Sequence, residues 1–205
     1  MLYCITKLRF LPAIVTIQNM NFDSSLITYA VSLHFSKDSS DIISQAVSSI
    51  AQATGNDFII GNKIPPHMTI GAFHAAKENG ARILQLVEEF AEKQTAGFVK
   101  FAEIADFKNK VLFLKGEKDA FLSEMNAELH KIVLPEFEKG ENGYYLPEIW
   151  FPHTTLATRL NKTQFEKAQS LAEKITLPLK AKACEIGFYQ CSPFVEVARF
   201  QLAEK

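Results

Sequence analysis

Pro66-His67-Met68-Thr69-Ile70 and Pro152-His153-Thr154-Thr155-Leu156 repeat one pattern, Pro-His-x-Thr-aliphatic, and together take two of the chain's five histidines. An imidazole with an ordinary pKa of about 6.5 holds or releases a proton near neutrality, so a pair of them can serve at once as base and acid. In-line displacement at phosphorus needs that pair. One group takes a proton from the attacking oxygen, and the other protonates the departing oxygen on the opposite side. A threonine two residues along a strand points the same way as its histidine, and its hydroxyl can donate to a nonbridging phosphoryl oxygen. The chemistry called for is phosphodiester cleavage by His67 and His153, with Thr69 and Thr155 binding the phosphate and no metal or cofactor required.

The elements that must position these residues occur in two similar series. Residues 28–35 alternate Tyr29, Val31, Leu33 and Phe35 against Ala30, Ser32 and His34, which reads as a half-buried strand. Ile43, Ala46, Val47 and Ile50 then recur at helical spacing and predict a helix over 39–53 that stops at Gly55. The first motif begins a strand at 67–74, a helix follows over 78–94, and a strand over 97–107. After the turn at Lys108-Asn109-Lys110 the order starts again. A strand at 111–115 is followed by a helix carrying Phe121, Leu122, Met125, Leu129 and Ile132. The second motif lies on a strand at 151–159. Asn161, with Gln164 three residues on, caps a helix bearing Phe165, Ala168 and Leu171. Strands at 180–190 and 195–202 close the series. The doubling implies an internal duplication in which halves 26–107 and 110–203 form one bilobal domain and each gives one motif to a shared site.

A chain of 205 residues, 47% hydrophobic, can bury a sizeable core, and its net charge of -1 offers no basic stripe for long nucleic acid. The expected partner is a small nucleotide or short RNA, and the protein is expected to be a monomer. Cys4, Cys184 and Cys191 form no CxxC pair and suit a reducing compartment. Lys7 and Arg9 precede a short apolar run broken by Pro12, too short for a secretory signal with a cleavage site. Residues 1–20 are read instead as an extension with an edge strand near 13–18, or as sequence ahead of a start at Met20. No apolar stretch is long enough to span a bilayer, and the expected location is cytoplasmic.

The paired motifs resemble those of the 2H phosphoesterase superfamily, which includes 2′-5′ RNA ligase-like proteins and cyclic nucleotide phosphodiesterases. The likeness spans about residues 26–203 and includes the ending Gly187-Phe188-Tyr189-Gln190-Cys191-Ser192 with the strand after it. It implies an α+β fold with two antiparallel sheets flanking a central cleft and helices outside. It also implies metal-independent cleavage of 2′,3′-cyclic or 2′-5′ phosphodiesters, with His67, Thr69, His153 and Thr155 at the family's catalytic positions. A binding module for nucleotides or RNA ends with little turnover, and a 2′-5′ RNA ligase, are the alternative readings.

Ala72 and Thr158 stand where such proteins often carry an aromatic residue and an arginine. Phe73 and Arg159 follow one position later, and unbroken strand parity would put both on the face of their motif histidine. On that basis Phe73 is a substrate-binding candidate and Arg159 a phosphate ligand. His34 shares a face with Ala30 and Ser32, a small polar row that would line the cleft, and is a second substrate-binding candidate. His74, His130 and Trp150 are read as structural, and Tyr189 and Phe194 as core or rim packing.

Overall fold

The computed structural model describes residues 26–204, so the readings of residues 1–20 and of Cys4 lie outside it. The elements are β1 (Leu26–Phe35), α1 (Lys37–Thr54), α2 (Phe58–Gly61), β2 (His67–Ala76), α3 (Gly80–Ala91), β3 (Gly97–Phe107), β4 (Val111–Gly116), α4 (Ala120–Val133), β5 (Glu138–Lys139), β6 (His153–Ala157), α5 (Lys162–Ala172), β7 (Leu179–Cys191) and β8 (Phe194–Gln201). All four long helices and all seven strands expected from periodicity are present. The four-residue α2 and two-residue β5 are too short to leave a periodic signal.

Local chemistry accounts for the ends of the helices. Gly55 closes α1 in the left-handed region at φ 67°, where its N–H reaches the Ala51 carbonyl. Asp119 caps α4 by accepting from the Leu122 N–H at 3.0 Å. Asn161 and Gln164 form the reciprocal capping box at the start of α5. The apolar stripes Ile43-Val47-Ile50, Ile83-Val87-Phe90, Leu122-Met125-Leu129 and Phe165-Ala168-Ala172 are buried in one continuous core. α1 packs on α5 and α3 packs on α4, all against the same sheet.

The sheet runs β5-β2-β1-β7-β3-β4-β6, every pair antiparallel, with β8 added along β7. Without β5 and β8 the order is palindromic: β2-β1-β7 on one side mirrors β6-β4-β3 on the other. The seam between the halves has its own symmetry, Gly97 facing Ala183, Val99 facing Ala181 and Phe101 facing Leu179. The two antiparallel halves are thus hydrogen-bonded into one sheet. Their closing strands are exchanged: β3, from the first stretch of sequence, pairs with β4, and β7, from the second, pairs with β1.

The outer motif strands β2 and β6 are not ladder neighbours, yet the structure brings them together. Trp150, just ahead of β6, is 3% exposed and donates its indole N–H to the Thr69 carbonyl at 3.0 Å. Gly116 of β4 donates to the Pro152 carbonyl at 2.9 Å. Met68, Ile70 and Leu156 of the two motifs join the core that the long helices cover.

Candidate active site

Each motif holds its imidazole in the same way. His67 Nδ1 lies 2.9 Å from the Pro65 carbonyl and His153 Nδ1 lies 2.8 Å from the Phe151 carbonyl, in each case two residues back. A carbonyl only accepts, so the hydrogen is on Nδ1 and the neutral ring keeps its lone pair on Nε2. Burial pushes the His67 imidazole well below its usual pKa, and the Pro65 carbonyl opposes that shift. Burial lowers His153 as well, and the Phe151 carbonyl opposes that shift. His67 and Thr155, from opposite motifs, line one cavity of about 100 Å³, walled by Phe58, Ile59 and Ile64 and reached by Lys63 and Thr158.

The strand register shows how far the likeness of the halves extends. In the first half, His67 faces His34, which faces Glu185, and Thr69 faces Ser32, which faces Gly187. In the second, His153 faces Lys115, which faces Glu103, and Thr155 faces Phe113, which faces Ala105. Thr69 Oγ1 lies 3.3 Å from Ser32 Oγ, a contact for which Phe113 offers no counterpart.

Both motif strands carry a β-bulge three residues after the histidine. Between Val31 and Ser32 the partner on β2 jumps from Gly71 to Thr69, and between Leu112 and Phe113 the partner on β6 jumps from Ala157 to Thr155. Ile70 and Leu156 are therefore the extra residues, and from there the side-chain alternation is reversed. This corrects the placement of Phe73. Instead of facing His67 it is fully buried in the helix-side core, its ring 5.2 Å from that of His130. Ala72 takes the motif face, beside Ala30 and Tyr189.

The same reversal moves Arg159. β6 ends at Ala157, which is in the core, and Thr158 lines the cavity. Arg159 follows in the left-handed region at φ 58°, its guanidinium 3.8 Å from the ring centre of Phe58. It thus lies beyond the end of β6, stacked on a ring that lines the cavity. Asn56 fixes this turn by donating to the Thr158 carbonyl at 3.0 Å.

His34 is where parity put it, on the motif face with its ring 6.0 Å from that of His67. It is 3% exposed, and burial, followed by the charge of Arg199, lowers its pKa to about 3. Its Nε2 lies 2.8 Å from Tyr189 Oη. Arg199 donates to Tyr189 Oη and to Glu196 and Glu185 at 2.8 to 2.9 Å. A side chain on Gly187 would come within 2.6 Å of both His34 and Tyr189, so glycine there lets the two rings meet. Sequence reading took Tyr189 for packing and passed over Arg199 and Glu196, which alternation puts on opposite faces of β8 and only the bulge at Val197 brings together at Tyr189.

The surroundings of His153 are aromatic. Phe113 lies 5.0 Å from its ring, Phe107 5.2 Å at 88° and Phe151 6.4 Å. Lys115 lies 5.4 Å above Phe151 and pairs with Glu103. Among the described residues no group of three or more His, Cys, Asp or Glu is arranged to hold a metal ion, and no helix is long and apolar enough to cross a membrane.

A family model described as the 2′-5′ RNA ligase superfamily matches residues 40–191, well over half of the chain. No curated protein matches at the sequence level. Among solved structures, TT0787 of Thermus thermophilus superposes with a TM-score of 0.57 at 15% identity, covering 87% of this chain and 99% of that one. E. coli LigT complexed with 3′-AMP gives 0.56 at 12% identity, over 86% and 98%. LigT in apo form gives 0.54 at 12%, over 88% and 99%. At these identities the likeness is one of fold.

Proposed function

The chain belongs to the 2′-5′ RNA ligase superfamily of 2H phosphoesterases, and on that premise we propose that it cleaves 2′,3′-cyclic or 2′-5′ phosphodiester bonds of nucleotides or short RNA. Membership supports phosphoesterase-type activity. The observation that carries the finer reading is the matched pair of Nδ1–H to carbonyl bonds, which sets the same tautomer, with the lone pair on Nε2, in both rings. A structural histidine needs no such matched tautomer at two equivalent points.

In this mechanism one Nε2 takes a proton from water as its oxygen bonds to phosphorus. The other imidazole, protonated, gives its Nε2 proton to the departing ribose oxygen as the P–O bond breaks. Thr69 and Thr155 donate to the nonbridging oxygens, where negative charge grows in the transition state. The substrate's own charge raises both imidazole pKa values on binding, offsetting the effect of burial.

The test is turnover of 2′,3′-cyclic nucleotides and 2′-5′ dinucleotides. His67→Ala and His153→Ala are each expected to lower kcat by about 10²- to 10⁴-fold, and Thr69→Val and Thr155→Val by about 10²-fold. Full activity in either histidine variant would overturn the assignment. Tight ligand binding with no product from the wild-type protein would point to a binding module.

A further inference from the structure

The two halves match in strand order and register but differ in what surrounds their histidines. Phe107 on β3 and Tyr189 on β7 hold equivalent places, opposite Val111 and Ala30 on the strands next to the motif strands. Tyr189 is 4% exposed, its ring stacked 5.3 Å from Phe194 and its hydroxyl tied to His34, Glu196 and Arg199. Phe107 is 41% exposed, with one side against Phe113 at 4.4 Å and an edge contact to His153. Phe151, 38% exposed, meets Phe107 edge-on at 6.0 Å. Phe113, buried at 1%, supports both from beneath.

Solvent-facing phenylalanines are costly to leave in water, and these two lie together on one side of a proposed catalytic imidazole, 6.0 Å from each other and 5.2 and 6.4 Å from its ring. Lys115, the register partner of His153, brings an ammonium to the same surface, over the Phe151 ring. Exposed aromatic ring faces beside a cation and a proton-transfer group match the two ends of one ligand class, a planar base and a phosphate. Aromatic side chains bind nucleobases by stacking, whatever their sequence.

We propose that Phe107 and Phe151 form a nucleobase-stacking site beside His153, so that the substrate is a nucleotide whose base lies in the second half of the sheet. The site rests on the phosphoesterase reading for the position of the phosphate. It also directs the substrate: Tyr189, which holds the place of Phe107 in the first half, is covered by Phe194 and tied through its hydroxyl, so the two sides of the pseudo-symmetric cleft are not equivalent for a base.

Titration calorimetry with 3′-AMP and with the same phosphate lacking its base, 1-deoxyribose 3-phosphate, tests this without requiring turnover. The wild-type protein is expected to prefer the base-bearing ligand by at least about 10-fold, the lower range for one stacked base. Phe107→Leu and Phe151→Leu keep apolar bulk while removing the ring, and each is expected to cut that preference several-fold, with the double variant abolishing it. Phe98→Leu is the control. Phe98 is 50% exposed on the same strand, nine residues or about 30 Å from Phe107, and its substitution leaves the preference unchanged. Equal affinity of the wild-type protein for both ligands, or undiminished preference in the double variant with its melting temperature retained, overturns the stacking site. A stacking preference in a protein that cleaves no phosphodiester supports the stacking site and overturns the catalytic reading.

Discussion

The same backbone carbonyl contact orients His67 and His153, and burial lowers the pKa of both. The sign of the resulting pH dependence can be worked out. A base must be neutral, so it works above its pKa, and an acid must be charged, so it works below its own. With both groups shifted down from about 6.5 in the free protein, the pH range in which one is charged and the other neutral moves to the acid side. The expected profile of kcat/KM is therefore a bell with its maximum below pH 6.5. The kcat profile, which reports the substrate-bound protein, should lie at higher pH because the phosphate charge favours both imidazolium forms. A kcat/KM maximum above pH 8 would contradict the assignment. His34 takes no part in that profile. With a pKa of about 3 it stays neutral across the range, and its place against Tyr189 and His67 makes it a wall of the site.

Among the elements, the bulges at Ile70 and Leu156 have the largest consequences. Each puts two successive residues on the core side and returns Ala72 and Thr158 to the motif face, which is why Phe73 and Arg159 are not where simple alternation places them. A bulge interrupts the ladder and leaves backbone groups needing partners. At the first bulge an asparagine supplies one. Asn126 of α4, fully buried, donates to the Ile70 carbonyl at 2.7 Å and to the Tyr145 carbonyl at 2.9 Å. Asn126→Ala would leave the buried Ile70 carbonyl without this donor, a cost of about 1–3 kcal/mol for a group left unsatisfied. Thermal or urea unfolding should show a marked loss of stability, and kcat should fall with it because Thr69 directly precedes the bulge. An unchanged unfolding midpoint would show that the bulge does not depend on Asn126.

At the scale of the whole molecule, the exchange of β3 and β7 ties the halves together. β1 finds its inner neighbour only in β7, and β4 finds its own only in β3. A chain ending near residue 109 would leave β1 with an open edge and β3 without either of its partners. Residues 26–109 and 110–204 expressed separately are therefore expected to lack cooperative unfolding. Mixing them should restore the circular dichroism spectrum and the thermal transition. Independent folding of either fragment would mean that local contacts suffice. The same exchange brings the motif strands from opposite edges of the ladder to one site, with Trp150 bonding across to Thr69.

Strand and helix identity, the caps at Gly55 and Asn161, the repeated order of elements and the pairing of His with Thr were all legible in the sequence. Each depends on residues a few positions apart, where period, side-chain direction and capping chemistry are set by the local backbone. The placement of His34 on the motif face followed from the same alternation. The bulges, the strand exchange and the Tyr189-Arg199-Glu196 cluster were decided only by the tertiary structure. So was the aromatic surface at His153, which draws Phe107, Phe113 and Phe151 from three separate strands and loops. These depend on register between segments distant in sequence, and one added residue in a strand reverses every side chain beyond it.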